Sequence, residues 1–229
     1  MVRFRDGGSR CSFNYTSHLE HVIRLWCSRY PQLCHIDMDR VLVSVVKCRT
    51  RLVSGTCATI TSLRYPTGRA SFETPAQAPQ LERIFKDGRE VLYLVKFFLP
   101  RFHDLPLGKK VETILHELHH VDPKFNGELR TFGGARWAHG SSQKAFEKTY
   151  ETLRQEVLAH LDPLDELFLN CSFAALLRRY GDIYGQRYRW QRLVEQNART
   201  VARRGRKSVL PGVYSPRLGP LLQSRQGGD

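Results

Sequence analysis

One segment constrains this chain more than any other, a predicted helix over residues 107–122 that carries His-Glu-Leu-His-His at positions 116–120. Pro106 precedes the segment, and Pro123 disfavours helical geometry in the residue before it. At about 100° per residue, the first and last of these histidines lie only about 40° apart on a helix. The apolar residues lie on the opposite side: Val111, Ile114, Leu115, Leu118 and Val121. The pattern predicts an amphipathic helix with two imidazoles side by side on its polar face.

The spacing of these two imidazoles suits a zinc ion. Positions i and i+4 of a helix share one face, so His116 and His120 can direct ring nitrogens at one metal. Glu117 projects beside them, where its carboxylate can take a proton from a metal-activated water. HExxH on a helix therefore predicts Zn²⁺ as cofactor, His116 and His120 as ligands, and Glu117 as general base. His119 lies on the flank, and we expect it to face solvent or to support a ligand.

A catalytic zinc needs a third protein ligand and an open position for water. We predict His139, because Gly127 and the Gly133-Gly134 pair allow the chain to turn back towards the helix. The alternative is a carboxylate of the following helix, Glu147 or Glu151. Further candidates for this ligand are Asp122, Glu128 and His160.

Residues outside the motif could support this chemistry. His103, just before the helix, is a candidate for orienting a zinc-bound histidine. His35, Asp37 and Asp39 form a polar cluster that a second metal could use, but an ordinary approach to the next strand explains them as well. The donor that would stabilise an oxyanion could be Arg136, Tyr150 or His160.

The remaining pattern predicts an α+β fold with three or four strands. Apolar and alternating segments predict strands over Val41–Lys47, 57–63 and 91–99, with a long connection over 65–88 that contains a short helical turn at 81–85. Ser17 and Glu20 have the spacing of a capping box, so a helix should run from residue 17 to Pro31. Three more helices are expected over 142–160, 164–180 and 185–200. The first ten residues are predicted to be frayed.

Charge and composition limit the classes of partner and the cellular location that we expect. The chain has 36 Lys and Arg against 22 Asp and Glu, a formal charge of +14. This excess favours acidic or polyanionic partners. Residues 199–229 are predicted to form a flexible basic tail that binds DNA or RNA non-specifically. The longest apolar run, residues 91–99, contains Lys96 and is too short to cross a membrane. No apolar segment follows the first charges, so we expect a cytoplasmic protein.

The order strand, proline, helix, HELHH, turn and histidine resembles the zincin superfamily. In particular, ILHELHHVDPKFNGELR followed by WAHG is similar to a family of phage metallopeptidases related to the SprT-like and ImmA/IrrE-type proteases. The resemblance covers residues 35–145. That family pattern places a His–acid dipeptide after an arginine, whereas this chain has His139-Gly140. SprT-like proteases often add a cysteine zinc ribbon; this chain has no CxxC pair, so affinity for DNA would come from the basic tail.

The resemblance implies a minimal zincin-like domain, a small twisted sheet packed on the HExxH helix, and a peptide substrate lying extended along an edge strand. We assign this metallopeptidase domain to residues 11–145, a helical C-terminal extension of it to 146–198, and the tail to 199–229. The predicted function is zinc-dependent hydrolysis of peptide bonds in a protein or peptide substrate. The alternative is a basic nucleic-acid-binding or regulatory protein with a structural or degenerate zinc site.

Overall fold

A computed structural model describes residues 2–5, 12–48, 55–64, 80–81, 83–130, 143–188 and 193–194. The helices are α1 (Tyr15–Arg29), α2 (Leu107–His119), α3 (Gln143–Ala159), α4 (Pro163–Asn170) and α5 (Phe173–Tyr180). The strands are β1 (Val2–Arg5), β2 (Ser12–Asn14), β3 (Val41–Lys47), β4 (Ala58–Ser62), β5 (Gln80–Leu81), β6 (Phe85–Lys86), β7 (Arg89–Glu90), β8 (Tyr93–Leu99), β9 (Asp182–Gly185) and β10 (Leu193–Val194). The predicted α+β class is confirmed.

The central sheet has three strands in the order β3-β8-β4. β8 pairs in parallel with β3 and antiparallel with β4, so that Val43, Val95 and Ile60 stand side by side. These three side chains are buried and point to one face, where they join residues of α1 and α2 in a single hydrophobic core. The three strands predicted from the sequence are therefore confirmed, each to within two residues at its ends.

A second sheet, in the order β1-β9-β2, was not predicted. Fraying was expected for the first ten residues, but residues 2–5 form β1, which pairs antiparallel with β9; residues 6–10 lie outside the described residues. The helix expected over 185–200 is wrong at its start, because Gly185 ends β9 and Gln186 hydrogen-bonds to the neighbouring elements. The Gln186 N–H donates to the Thr16 hydroxyl, and its carbonyl accepts from the Val45 N–H, both at 2.8 Å. A Cβ at position 185 would collide with the Val45 side chain and the Thr16 hydroxyl, so the packing leaves space only for glycine.

Three further boundaries differ from the predictions. α1 begins at Tyr15 and is capped by the Asn14 side chain, which accepts from the Ser17 N–H, so the cap is not Ser17. The helix expected over 164–180 is two helices, because Ser172 caps α5 and ends the run. Residues 85–90 form the hairpin β6–β7 in place of the expected helical turn.

The C-terminal helices belong to the same core as the sheet. Leu153 and Val157 of α3, Leu169 of α4 and Leu176 of α5 are buried in the cluster that contains α1 and α2. The predicted tail over 199–229 lies outside the described residues. Within the described part of the chain, none of the helices combines the length and the apolar character that crossing a bilayer requires.

A buried lysine connects α2 to α4. Lys110 is 1% exposed, and its ammonium donates to the carbonyls of Leu169 and Cys171 at 2.5 and 2.9 Å. Burial lowers the pKa of Lys110 to about 8. These carbonyls lie at the C-terminal end of α4, where a helix has no further backbone donors and a cation is favoured.

We predict that Lys110→Ala lowers the free energy of unfolding by about 2–4 kcal/mol, because two buried carbonyls lose their donor. The matched control is Lys109→Ala. Its ammonium makes an exposed ion pair with Glu112, and its loss should cost about 0.5 kcal/mol or less. Urea denaturation of both variants measures the difference. Equal midpoints would contradict the role of Lys110.

Candidate metal centre

Helix α2 presents the HExxH motif because its other face is fixed in the core. Val111, Ile114 and Leu115 are fully buried, and Leu118 is nearly so. The predicted sorting of apolar and polar faces is therefore confirmed. The helix starts at Leu107 as expected but ends at His119, three residues earlier than expected.

His116 and His120 lie side by side with their Nε2 atoms 3.1 Å apart. Their ring planes are nearly perpendicular, at 84°, and the ring centroids are 4.7 Å apart. His120 caps the helix in a right-handed conformation, with φ −66° and ψ −12°, so it continues the helical spacing. Two ligands of a tetrahedral zinc with Zn–N of about 2.0–2.1 Å are themselves about 3.3 Å apart. The two imidazoles therefore fit a shared zinc ion.

Glu117 lies beneath the sheet edge. Its side chain is buried, and the backbone N–H of Ile60 hydrogen-bonds to its carboxylate. Burial raises the pKa of Glu117 to about 8, and the hydrogen bond from Ile60 opposes this shift. A carboxyl group with a pKa near neutrality can both accept and release a proton, as general acid–base chemistry requires.

The hydrogen-bond pattern of β4 explains why Ile60 is available to Glu117. Leu63 donates to Leu92, and Cys57 accepts from Phe98, so the odd-numbered residues of this strand pair with β8. The backbone groups of Ile60 consequently point away from β8, towards the edge of the sheet. Glu117 approaches the strand at this edge.

After His120 the chain turns back along the helix end. The Arg130 N–H donates to the His120 carbonyl at 2.7 Å, and Val121 forms a bridge with Leu129. Gly127 has a φ of +88°, the left-handed conformation that favours glycine. The turn that the sequence predicted at Gly127 is confirmed.

Two side chains of the sheet hold this return loop, residues 121–130. The Tyr93 hydroxyl donates to the Glu128 carbonyl at 2.6 Å and accepts from the Gly127 N–H at 3.0 Å. Ser62, at the end of β4, donates to the Gly127 carbonyl. The loop beside His120 is therefore fastened to two strands of the central sheet.

The third ligand cannot be read from the described residues. His139 and the side chain of Glu147 lie outside them, as do Arg136 and the side chain of Tyr150. Glu151 is exposed and hydrogen-bonds to Arg154 and Gln155. Within the described ranges, no three His, Cys, Asp or Glu side chains gather in a group that could hold a metal.

Three other candidate ligands are described. Asp122 accepts from the Lys124 N–H, and the Glu128 carbonyl binds Tyr93. His160 is exposed at the end of α3, with its Nδ1 2.9 Å from the Glu156 carbonyl. None of these three joins His116 and His120 in a metal-binding group of the described part.

The other predicted histidines have different partners. His103 is buried, with Nδ1 2.9 Å from the Tyr15 hydroxyl and Nε2 3.4 Å from the Cys171 thiol, so both ring nitrogens contact groups other than the two proposed zinc ligands. His119 is half-buried, and its Nε2 lies 3.4 Å from a guanidinium nitrogen of Arg130. His35 packs near the end of α2, away from Asp39, which pairs with Arg24 and Arg89.

Sequence reasoning missed Ile60 and Tyr93, which act through a backbone N–H and through a long-range contact. No protein-family model, curated protein or solved structure shows significant similarity to this chain.

We predict that Glu117→Gln makes the metal-free protein more stable at pH 8 but not at pH 4.5. Glu117 is protonated in both folded and unfolded chains below about pH 4.5. Between pH 4.5 and about 8, Glu117 ionises in the unfolded chain but stays protonated in the folded one. Folding stability therefore falls by about 1.4 kcal/mol for each pH unit in this range. Glutamine removes this loss.

Scanning calorimetry in the presence of a chelator, at both pH values, measures the effect. The matched control is Glu112→Gln on the same helix, whose partly exposed carboxylate pairs with Lys109. If the stability of Glu117→Gln and that of Glu112→Gln depend on pH in the same way, the raised pKa of Glu117 is contradicted.

Proposed function

We propose that this protein is a zinc-dependent metalloendopeptidase of the zincin type. The observation that carries the proposal is the convergence of the His116 and His120 Nε2 atoms at 3.1 Å. Glu117, next to one of them in sequence, is buried with a raised pKa. Two imidazoles with a carboxyl group of this kind are the protein groups that zinc-assisted hydrolysis uses.

Zinc, when bound, polarises the scissile carbonyl and lowers the pKa of a coordinated water. His116 and His120 would hold the ion, while the buried apolar face of α2 keeps their rings in place. Glu117 would accept the proton from water and pass it to the leaving amine. The Ile60 N–H would keep the carboxylate oriented between these two transfers.

For the third ligand we propose His139, with Glu147 or Glu151 as the alternative. Arg130 is bound to the His120 carbonyl, so the chain leaves the described region beside the two histidines. His139 is nine positions after Arg130, and an extended chain covers about 3.3 Å per residue, so a return to the metal is within reach.

The substrate would add to the edge of β4 as an extended peptide. Among the described strands, β4 pairs only with β8, and the Ile60 backbone faces the edge where Glu117 lies. Ser62 holds the return loop at one end of this edge. Ala58 and Ile60 are buried, so a peptide would enter with a movement of the surrounding chain.

The formal charge of +14 favours a second candidate, a nucleic-acid-binding or regulatory protein whose zinc site is structural or degenerate. Under the main proposal, the basic segment 199–229 would add non-specific affinity for DNA or RNA. A catalytic site keeps one position open for water, whereas a structural site has four protein ligands.

Zinc content and peptide hydrolysis, measured together on three variants, test the proposal. We predict about one zinc per chain in the wild type, loss of both zinc and activity in His116→Ala, and retained zinc with hydrolysis reduced at least about a hundredfold in Glu117→Gln. His139→Ala should lose zinc as well. If that variant retains zinc, the third ligand is Glu147 or Glu151 and not His139.

A matched control is His160→Ala, which removes an exposed histidine of α3 and should change neither readout. A wild type that binds zinc but hydrolyses no peptide, with the same behaviour in Glu117→Gln, would favour the structural or degenerate site. A wild type without zinc would contradict both candidates.

A further inference from the structure

Arg130 is a half-buried cation beside the proposed metal centre, and no carboxylate in the described part of the chain forms an ion pair with it. Its Nε is buried and makes no hydrogen bond, and its Nη1 lies 3.4 Å from the His119 ring. Its backbone N–H is bonded to the His120 carbonyl. Burial lowers the pKa of Arg130, which shows that its charge is poorly compensated by the surrounding protein.

Five other arginines of the described chain do form such ion pairs. Each of the following has a carboxylate within 4.0 Å: Arg24, Arg64, Arg83, Arg89 and Arg154. Arg130 has none among the described residues. Asp122 is close enough to influence it but not to pair with it, and its Oδ1 accepts from the Lys124 N–H.

Besides Asp122, a histidine lies near Arg130. His35 lies near enough for the guanidinium to lower its pKa, and the Nε2 of His35 is also buried without a hydrogen bond. Two buried side-chain nitrogens that have no hydrogen-bond partner among the described residues need an explanation, and a ligand bound beside the proposed catalytic site would supply one. A guanidinium matches a carboxylate through two parallel hydrogen bonds.

We propose that Arg130 binds a carboxylate of the substrate, so that the enzyme prefers peptides with an acidic group near the scissile bond. This inference rests on the proposed peptidase function. The acidic group is either an Asp or Glu side chain or the chain terminus. The overall charge of +14 would attract such substrates at longer range.

Binding can be tested without turnover in the zinc-loaded full chain carrying Glu117→Gln. The readout is the ¹⁵N-labelled arginine Nε–H spectrum, in which Arg130 is the signal that Arg130→Lys removes. Acetyl-glutamate amide offers a side-chain carboxylate, acetyl-alanine offers a terminal one, and acetyl-glutamine amide is the neutral control.

We expect the Arg130 signal to shift saturably with at least one carboxylate probe, and the neutral probe to bind about tenfold or more weakly. A response to acetyl-glutamate amide alone assigns an acidic side chain, and a response to acetyl-alanine alone assigns the chain terminus. The control Arg154→Gln, which removes an arginine paired with Glu151, should leave the shift unchanged. No shift, or an equal shift with the neutral probe, overturns the proposal.

Hydrolysis of a peptide library provides the second arm. We expect wild-type cleavage sites to be enriched in acidic groups, and Arg130→Gln to lose about tenfold in kcat/KM for acidic peptides while neutral peptides are cleaved as before. An equal loss of kcat on both classes would mean that Arg130 only positions the return loop, which overturns the proposal. If the wild type cleaves nothing, the peptidase function fails, and the spectra still decide whether Arg130 binds carboxylate.

Discussion

The burial of one face of α2 determines the rest of this structure. Four apolar side chains of this face are buried in the core: Val111, Ile114, Leu115 and Leu118. Their packing fixes the rotation of the helix about its axis, so the imidazoles of the opposite face are oriented without a bound ligand. The Nε2 atoms of His116 and His120 then approach to 3.1 Å. Core packing, and not the loops, sets the geometry that a metal would use.

The same packing buries the carboxyl group of Glu117, which lowers the folding stability. Glu117 is removed from water under the edge of β4, and among the described residues the Ile60 N–H is the hydrogen-bond donor to its carboxylate. Burial of an unpaired carboxyl group reduces folding stability, and such groups are concentrated at functional sites. Arg130 is a comparable case of opposite sign, because its guanidinium also lies partly buried beside the histidines and forms no ion pair with a described carboxylate.

Much of the local structure could be predicted because it depends on periodicity. The helix α2 and the strands β3, β4 and β8 follow from apolar spacing alone. The pairing of β1 with β9 could not be predicted, because it joins residues about 180 positions apart in sequence and has no local signal. The hydrogen bonds between the Tyr93 hydroxyl and the return loop also join residues that are far apart in sequence. The break between α4 and α5 depends on Ser172, whose capping role the apolar pattern hides.

The central claim is that His116 and His120 bind one zinc ion while a coordination position stays open to water. X-ray absorption at the zinc edge of the purified full chain measures the ligand set directly. The account predicts a first shell of nitrogen and oxygen at about 2.0–2.1 Å, with scattering from two or three imidazoles and at least one water. A shell that contains sulfur, a shell closed by four protein ligands, or the absence of bound zinc would contradict it.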